Sequence, residues 1–129
     1  MFIRIDLNSE ETLYSQLSNQ IKYGIAKGYL KPGEDLPSVR GLASELGINL
    51  HTVAKAYNRL KEEGIIIINR SRGVKVSKQV LANRGTDYET ILHGKITKLV
   101  SEGICHGIEK DEFMQMVEKI FDELEGEQK

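Results

Sequence analysis

The chain has 129 residues, 40% hydrophobic and 29% charged, with a formal net charge of -1. Those proportions fit one medium globular domain, or a small one with an appended helical piece, and they exclude a disordered chain. No apolar run approaches the roughly 18 residues a membrane span needs. The opening MFIRIDLNSEE has no apolar core behind a basic head, so no signal peptide is expected. A single cysteine, Cys105, cannot form an internal disulfide, which fits a cytoplasmic location. The charge is uneven along the chain. Residues 1–76 carry 11 Lys/Arg against 8 Asp/Glu, and residues 77–129 carry 7 against 11. A basic half followed by an acidic half suits a nucleic-acid reader joined to a partner-binding segment.

A first helix is expected after Ser9, a good N-cap, with Glu10 and Glu11 in a first turn that favours acids. Leu13, Leu17, Ile21 and Ile25 recur every four residues as one buried face, Tyr14 borders it, and Gly28 stops the helix. Pro-Gly in YLKPGEDLP turns the chain. Ser38 caps a short second helix whose apolar face is Val39, Leu42, Ala43 and Leu46. Gly47 ends it, Ile48 fills the corner and Asn49 caps a third helix, which carries Val53, Tyr57 and Leu60 inward and stops at Gly64. Two helices joined by a three-residue turn make a helix-turn-helix. The β-branched run Ile65 to Ile68, the basic turn Asn69 to Gly73 and the strand Val74 to Val76 read as a hairpin. Helix-turn-helix plus hairpin is a winged helix.

Periodicity lapses between Ser77 and Gly85, which reads as a linker. Thr86 and Glu89 then match a capping box. Tyr88, Leu92, Ile96 and Leu99 form one stripe, with Ile91 and Val100 beside it. Beyond a corner from Gly103 to Gly107, Phe113, Val117, Ile120 and Leu124 follow at heptad-like spacings, and Met114, Met116 and Phe121 widen the seam. The tail from Glu125 to Lys129 is expected to fray.

On a helical wheel that turns Val53, Tyr57 and Leu60 inward, His51, Lys55 and Asn58 point out, with Thr52 and Arg59 on the flanks. Such donors and acceptors suit base edges in a major groove: Lys55 toward guanine, Asn58 toward adenine, Thr52 toward a phosphate or a thymine methyl. An ordinary solvated face is the bland alternative, and the adjoining turn and basic hairpin weigh against it. Ser38 and Arg40 place a hydroxyl and a guanidinium at a helix start, a ready phosphate clamp, unless they are only a cap and a surface arginine. Arg70, Ser71, Arg72 and Gly73 form a hairpin tip suited to phosphates or a narrow minor groove, or merely a solubilising turn. Catalytic readings fail. His51, His93 and His106 are far apart, Cys105–His106 lacks a second cysteine, and no phosphate loop or nucleophile elbow is present. No metal or cofactor is expected.

The segments TLYSQL (12–17), GYLKPGEDLPSVRGLA (28–43), LGIN (46–49), TVAKAYNRL (52–60), EGI (63–65) and RGVKV (72–76) together resemble the N-terminal domain of GntR-type bacterial transcription regulators. By position, the resemblance implies DNA contacts at Ser38, Arg40, Asn49, His51, Thr52 and the wing around Gly73. Two departures stand out. Leu50 occupies a place where many members have arginine, and in the wing Ser71 and Lys75 replace a glycine and an aromatic residue. The short C-terminal remainder is similar to the YtrA-like subfamily, which uses a helical pair to dimerise and often represses ABC-transporter operons.

The fold expected is mainly α with a small β-hairpin. A winged helix-turn-helix domain should occupy residues 1–77, and a helical dimerisation region 78–129, with helices at about 86–103 and 109–125. The expected function is a homodimeric repressor reading an inverted repeat in double-stranded DNA, with phosphates supplying most of the affinity. Tyr88, Leu92, Ile96, Leu99, Phe113, Val117, Ile120, Phe121 and Leu124 would bury themselves against the partner chain, since two such helices cannot enclose a core alone. A small-molecule effector is a further partner to look for, and no residues in the sequence point to its site. The alternative is a winged-helix protein–protein module that does not touch DNA.

Overall fold

Ser9 does not begin the first helix. In the computed structural model, which describes residues 3–82 and 87–126, α1 spans Leu13–Lys27 and its N-cap is Thr12, whose Oγ1 accepts the Ser15 N–H at 3.3 Å. Ser9 instead accepts the N–H of Glu11, two residues on, at 3.1 Å. That local turn competes with helix initiation, so Glu10 and Glu11 stay outside the first turn. Leu17, Ile21 and Ile25 are buried as expected, while Leu13 is only half-buried.

The segment ahead of α1 belongs to the core, which the periodicity did not reveal. Ile3 is buried and Ile5 packs against the same cluster. Two glutamines one turn apart on α1 hold it there. Gln20 accepts the Arg4 N–H at 2.8 Å, and Gln16 accepts the Asp6 N–H at 2.9 Å while donating to the Asp6 and Glu11 carbonyls. Buried Gln16 is thereby satisfied, as a buried amide must be.

The next elements are β1 (Asp35–Leu36), α2 (Val39–Leu46), α3 (Leu50–Glu62), β2 (Ile66–Asn69) and β3 (Gly73–Val76). Ser38 caps α2 by accepting the Gly41 N–H at 2.9 Å, and Asn49 caps α3 by accepting the His51 N–H at 2.7 Å. Between the helices Gly47 adopts φ +66, where a side chain would be strained. The N–H groups of Gly47 and Ile48 return to Ser44 and Ala43, closing a Schellman turn.

The hairpin becomes a three-stranded antiparallel sheet of order β1-β3-β2. β1 was not legible because two residues are too few for an alternation. It pairs Leu36 with Val74 and Asp35 with Lys75, and β2 pairs Ile66 with Val76 and Ile68 with Val74. Leu36, Ile66, Val74 and Val76 enter the core under α1, α2 and α3, where Val53, Tyr57 and Leu60 are fully enclosed.

The chain divides into two compact units, Met1–Leu81 and Ala82–Lys129. The second contains α4 (Tyr88–Cys105) and α5 (Lys110–Gly126). Thr86 of the expected capping box lies outside the described residues. Asp87 stands at the N-cap of α4 without a side-chain capping bond. The corner closes through Gly107 N–H to Ile104 and Ile108 N–H to Gly103. No residue of either helix is buried within the chain. Phe113, Val117 and Leu124 are half-buried, and Phe113 lies beside Gly103 of α4, whereas Tyr88, Leu92, Ile96, Leu99, Ile120 and Phe121 are exposed.

Candidate nucleic-acid interface

Because Val53, Ala56, Tyr57 and Leu60 are buried, the other side of α3 must face outward. His51, Lys55, Asn58 and Arg59 are exposed and Thr52 is half-exposed. His51, Ala54, Lys55, Asn58, Arg59 and Glu62 line one shallow open hollow. Glu62 adds one negative charge to the lining of the same hollow. Leu50 packs against the core, so the first position of α3 presents no polar group. Asn49 commits its carbonyl oxygen to the helix cap.

The start of α2 is fixed to α3 from inside. Tyr57, within the core, donates its hydroxyl to the Pro37 carbonyl at 2.8 Å. Burial, and secondarily the charge of Glu45, push its ionisation well above the ordinary tyrosine range, so the hydroxyl stays a donor. Pro37 immediately precedes Ser38, and both Ser38 and Arg40 are exposed at the helix entrance. The bond therefore sets the position of one candidate phosphate contact relative to the outward row of α3.

At the wing tip, Asn69 and Gly73 form the last cross-strand pair around the loop Arg70, Ser71, Arg72. Gly73, the first residue of β3, adopts φ +80, a left-handed conformation that glycine takes without strain. Ser71 has a clear local role. Its N–H and its hydroxyl both bond the Asn69 carboxamide oxygen, at 3.0 and 2.9 Å, and brace the loop. Lys75 forms an ion pair with Asp35 across the β1–β3 ladder, which ties the wing to the strand leading into α2. Arg70 and Arg72 are exposed at the tip.

Tyr14 of α1 is the residue that sequence reasoning missed. The Lys55 ammonium lies 4.0 Å from the centre of its ring, and Arg59 donates to its hydroxyl at 3.2 Å. Spacing marked Tyr14 only as the edge of a stripe, because its partners are some 40 residues away and come near only when α1 packs on α3. Lys22 of α1 also pairs with Glu63 at 2.8 Å, at the other end of the same seam. Among the described residues no group of three or more His, Cys, Asp or Glu could hold a metal ion, and no helix is long and apolar enough to cross a membrane.

Comparison with known proteins agrees with this architecture. Residues 13–76 match the bacterial regulatory proteins of the gntR family. The HTH-type transcriptional repressor YtrA of Bacillus subtilis (strain 168) is 33% identical over 127 residues, covering 98% of each chain. The solved structure of YtrA from Sulfolobus acidocaldarius, a GntR-family transcription factor, is 37% identical with a TM-score of 0.63, over 95% of this chain and 99% of that one. A transcriptional antiterminator from Listeria monocytogenes EGD-e is 27% identical with a TM-score of 0.85, over 93% of this chain and 89% of that one. With a winged helix in its first unit and likeness to YtrA along nearly its whole length, the chain belongs to the gntR family of bacterial regulatory proteins, in its YtrA-like branch, and is a helix-turn-helix transcription regulator, not an enzyme.

Proposed function

We propose that this regulator is a repressor that binds an inverted-repeat DNA operator as a homodimer and blocks transcription by occupying it. The observation that carries this reading is the outward row His51, Lys55 and Asn58 on α3, with half-exposed Thr52 beside it, held on one core with the α2 entrance and the basic wing. α3 would enter the major groove, Ser38 and Arg40 would hold phosphates beside it, and Arg70, Arg72 and Gly73 would follow the flanking backbone. The homodimer is supported by the second unit, residues 82–129. Ile96 and Leu99 of α4 and Ile120 and Phe121 of α5 are 45 to 59% exposed, an apolar surface that a second copy would cover. Transporter genes, which the resemblance to the YtrA-like subfamily implies as targets, are the first class to examine.

Duplexes enriched from random DNA, titrated by fluorescence anisotropy, test the reading. Arg40→Ala and Arg72→Ala are each expected to weaken binding several-fold. A chain that enriches no sequence at moderate salt, or that keeps full regulatory activity with both substitutions, would instead be a protein-binding winged helix.

A further inference from the structure

Two cations share one aromatic ring at the α1–α3 seam. The Lys55 ammonium is 4.0 Å and the Arg59 guanidinium carbon 5.5 Å from the centre of the Tyr14 ring. A ring attracts one cation through its face, but two like charges held so near each other repel unless an anion lies between them. Elsewhere in this unit Lys22 is paired with the Glu63 carboxylate and Lys75 with the Asp35 carboxylate. Among the described residues neither Lys55 nor Arg59 has a carboxylate within ion-pair distance. The acidic residue in the hollow they line is Glu62. The Tyr14 hydroxyl accepts from Arg59, which leaves its own proton to be given to an oxygen anion.

From this arrangement we infer that Tyr14, Lys55 and Arg59 form a composite clamp for a single phosphodiester of the DNA backbone, assembled from two helices, and that Lys55 does not read a base. The ring engages the Lys55 ammonium from α1. Base reading falls to His51, Thr52 and Asn58. Tyr14 acts as a positioning residue: it fixes where the two charges stand, and its hydroxyl completes the donor set. The inference rests on the DNA-binding reading above.

The distinction is measurable because a phosphate contact and a base contact fail differently. Losing a phosphate contact weakens all sequences alike and lowers the salt slope by about one, whereas losing a base contact relaxes preference at one position. The experiment is anisotropy on the enriched duplex with each phosphate replaced in turn by an uncharged methylphosphonate, using the full chain. For the wild type, one flanking phosphate should carry a penalty that disappears in Lys55→Ala and shrinks in Arg59→Ala. Tyr14→Leu, which keeps an apolar group against the core, should reproduce much of the Lys55→Ala loss, and Tyr14→Phe should restore most of it. Base preference should be unchanged in all four variants.

A readout without DNA separates this clamp from the wider reading. The Lys55 ε-methylene proton signals should be shifted upfield by the Tyr14 ring and return to ordinary positions in Tyr14→Leu. Unshifted signals in the wild type would overturn the clamp even if the protein binds its operator. So would a Lys55→Ala protein that relaxes preference at one base pair while keeping every phosphate penalty. A wild type that binds no duplex would remove both the reading and the clamp, whatever the Lys55 signals show.

Discussion

The hydroxyl of Tyr57 and the carbonyl of Pro37 meet at 2.8 Å, joining the middle of α3 to the residue just ahead of the α2 cap. Through this bond the core, and not only the turn between the helices, sets the spacing of the two elements proposed to face DNA. Tyr57→Phe keeps the ring and removes the donor. It should destabilise the fold by about 1 kcal/mol in urea unfolding. It should also weaken operator binding with no change in base preference.

The same tyrosine gives a pH dependence of known sign. Its folded-state ionisation lies above that of the unfolded chain, because burial disfavours the phenolate. Below the ordinary tyrosine value of about 10 both states hold the proton and the contribution is fully present. As pH rises past that value the unfolded state alone releases it, so stability declines until the folded group ionises too. Unfolding midpoints measured from pH 8 to 11 should fall more steeply for the wild type than for Tyr57→Phe.

Ser38 separates a cap from a contact. Ser38→Ala removes the bond to the Gly41 N–H and should cost about 1 kcal/mol of stability. Ser38→Asp keeps a capping oxygen beside the helix dipole, so thermal stability should stay near wild type. Its negative charge should nevertheless reduce DNA affinity more than Ser38→Ala does. Equal affinity for the two variants would mean that Ser38 is a cap alone.

Much of this unit was legible in the sequence because its signals are local. Gly47 and Gly64 end helices, Ser38 and Asn49 start them, and the turn of the wing is short and polar. What stayed hidden depends on pairing distant in sequence. Ile3 and Ile5 reach the core only because Gln16 and Gln20 of α1 hold their backbone. Asp35–Leu36 becomes a strand only beside Val74 and Lys75. Tyr14 acquires its two cations only across the α1–α3 seam. The misplaced start of α1 has a local cause: Ser9 and Thr12 are both competent caps, and Ser9 was spent on the turn before the helix.

Gly73 tests the wing. At φ +80 an alanine would be strained by about 1–2 kcal/mol. Open space surrounds the position, so the penalty should come from the backbone rather than from a clash. Gly73→Ala should leave the helical circular dichroism intact while lowering DNA affinity, and Ser71→Gly should loosen the loop with a smaller loss.

In the second unit, Ile96→Asp combined with Leu99→Asp should convert a dimer to a folded monomer in sedimentation. The same protein should lose at least tenfold in operator affinity, because each half-site would then be held alone.

The most direct measurement is the mass of the complex formed on an enriched duplex, by native mass spectrometry or sedimentation, compared between an inverted repeat and an isolated half-site. Two chains on the inverted repeat, with the half-site bound far more weakly, is the expected result. One chain per duplex, or equal affinity for the two duplexes, would contradict a regulator that reads DNA as a symmetric pair.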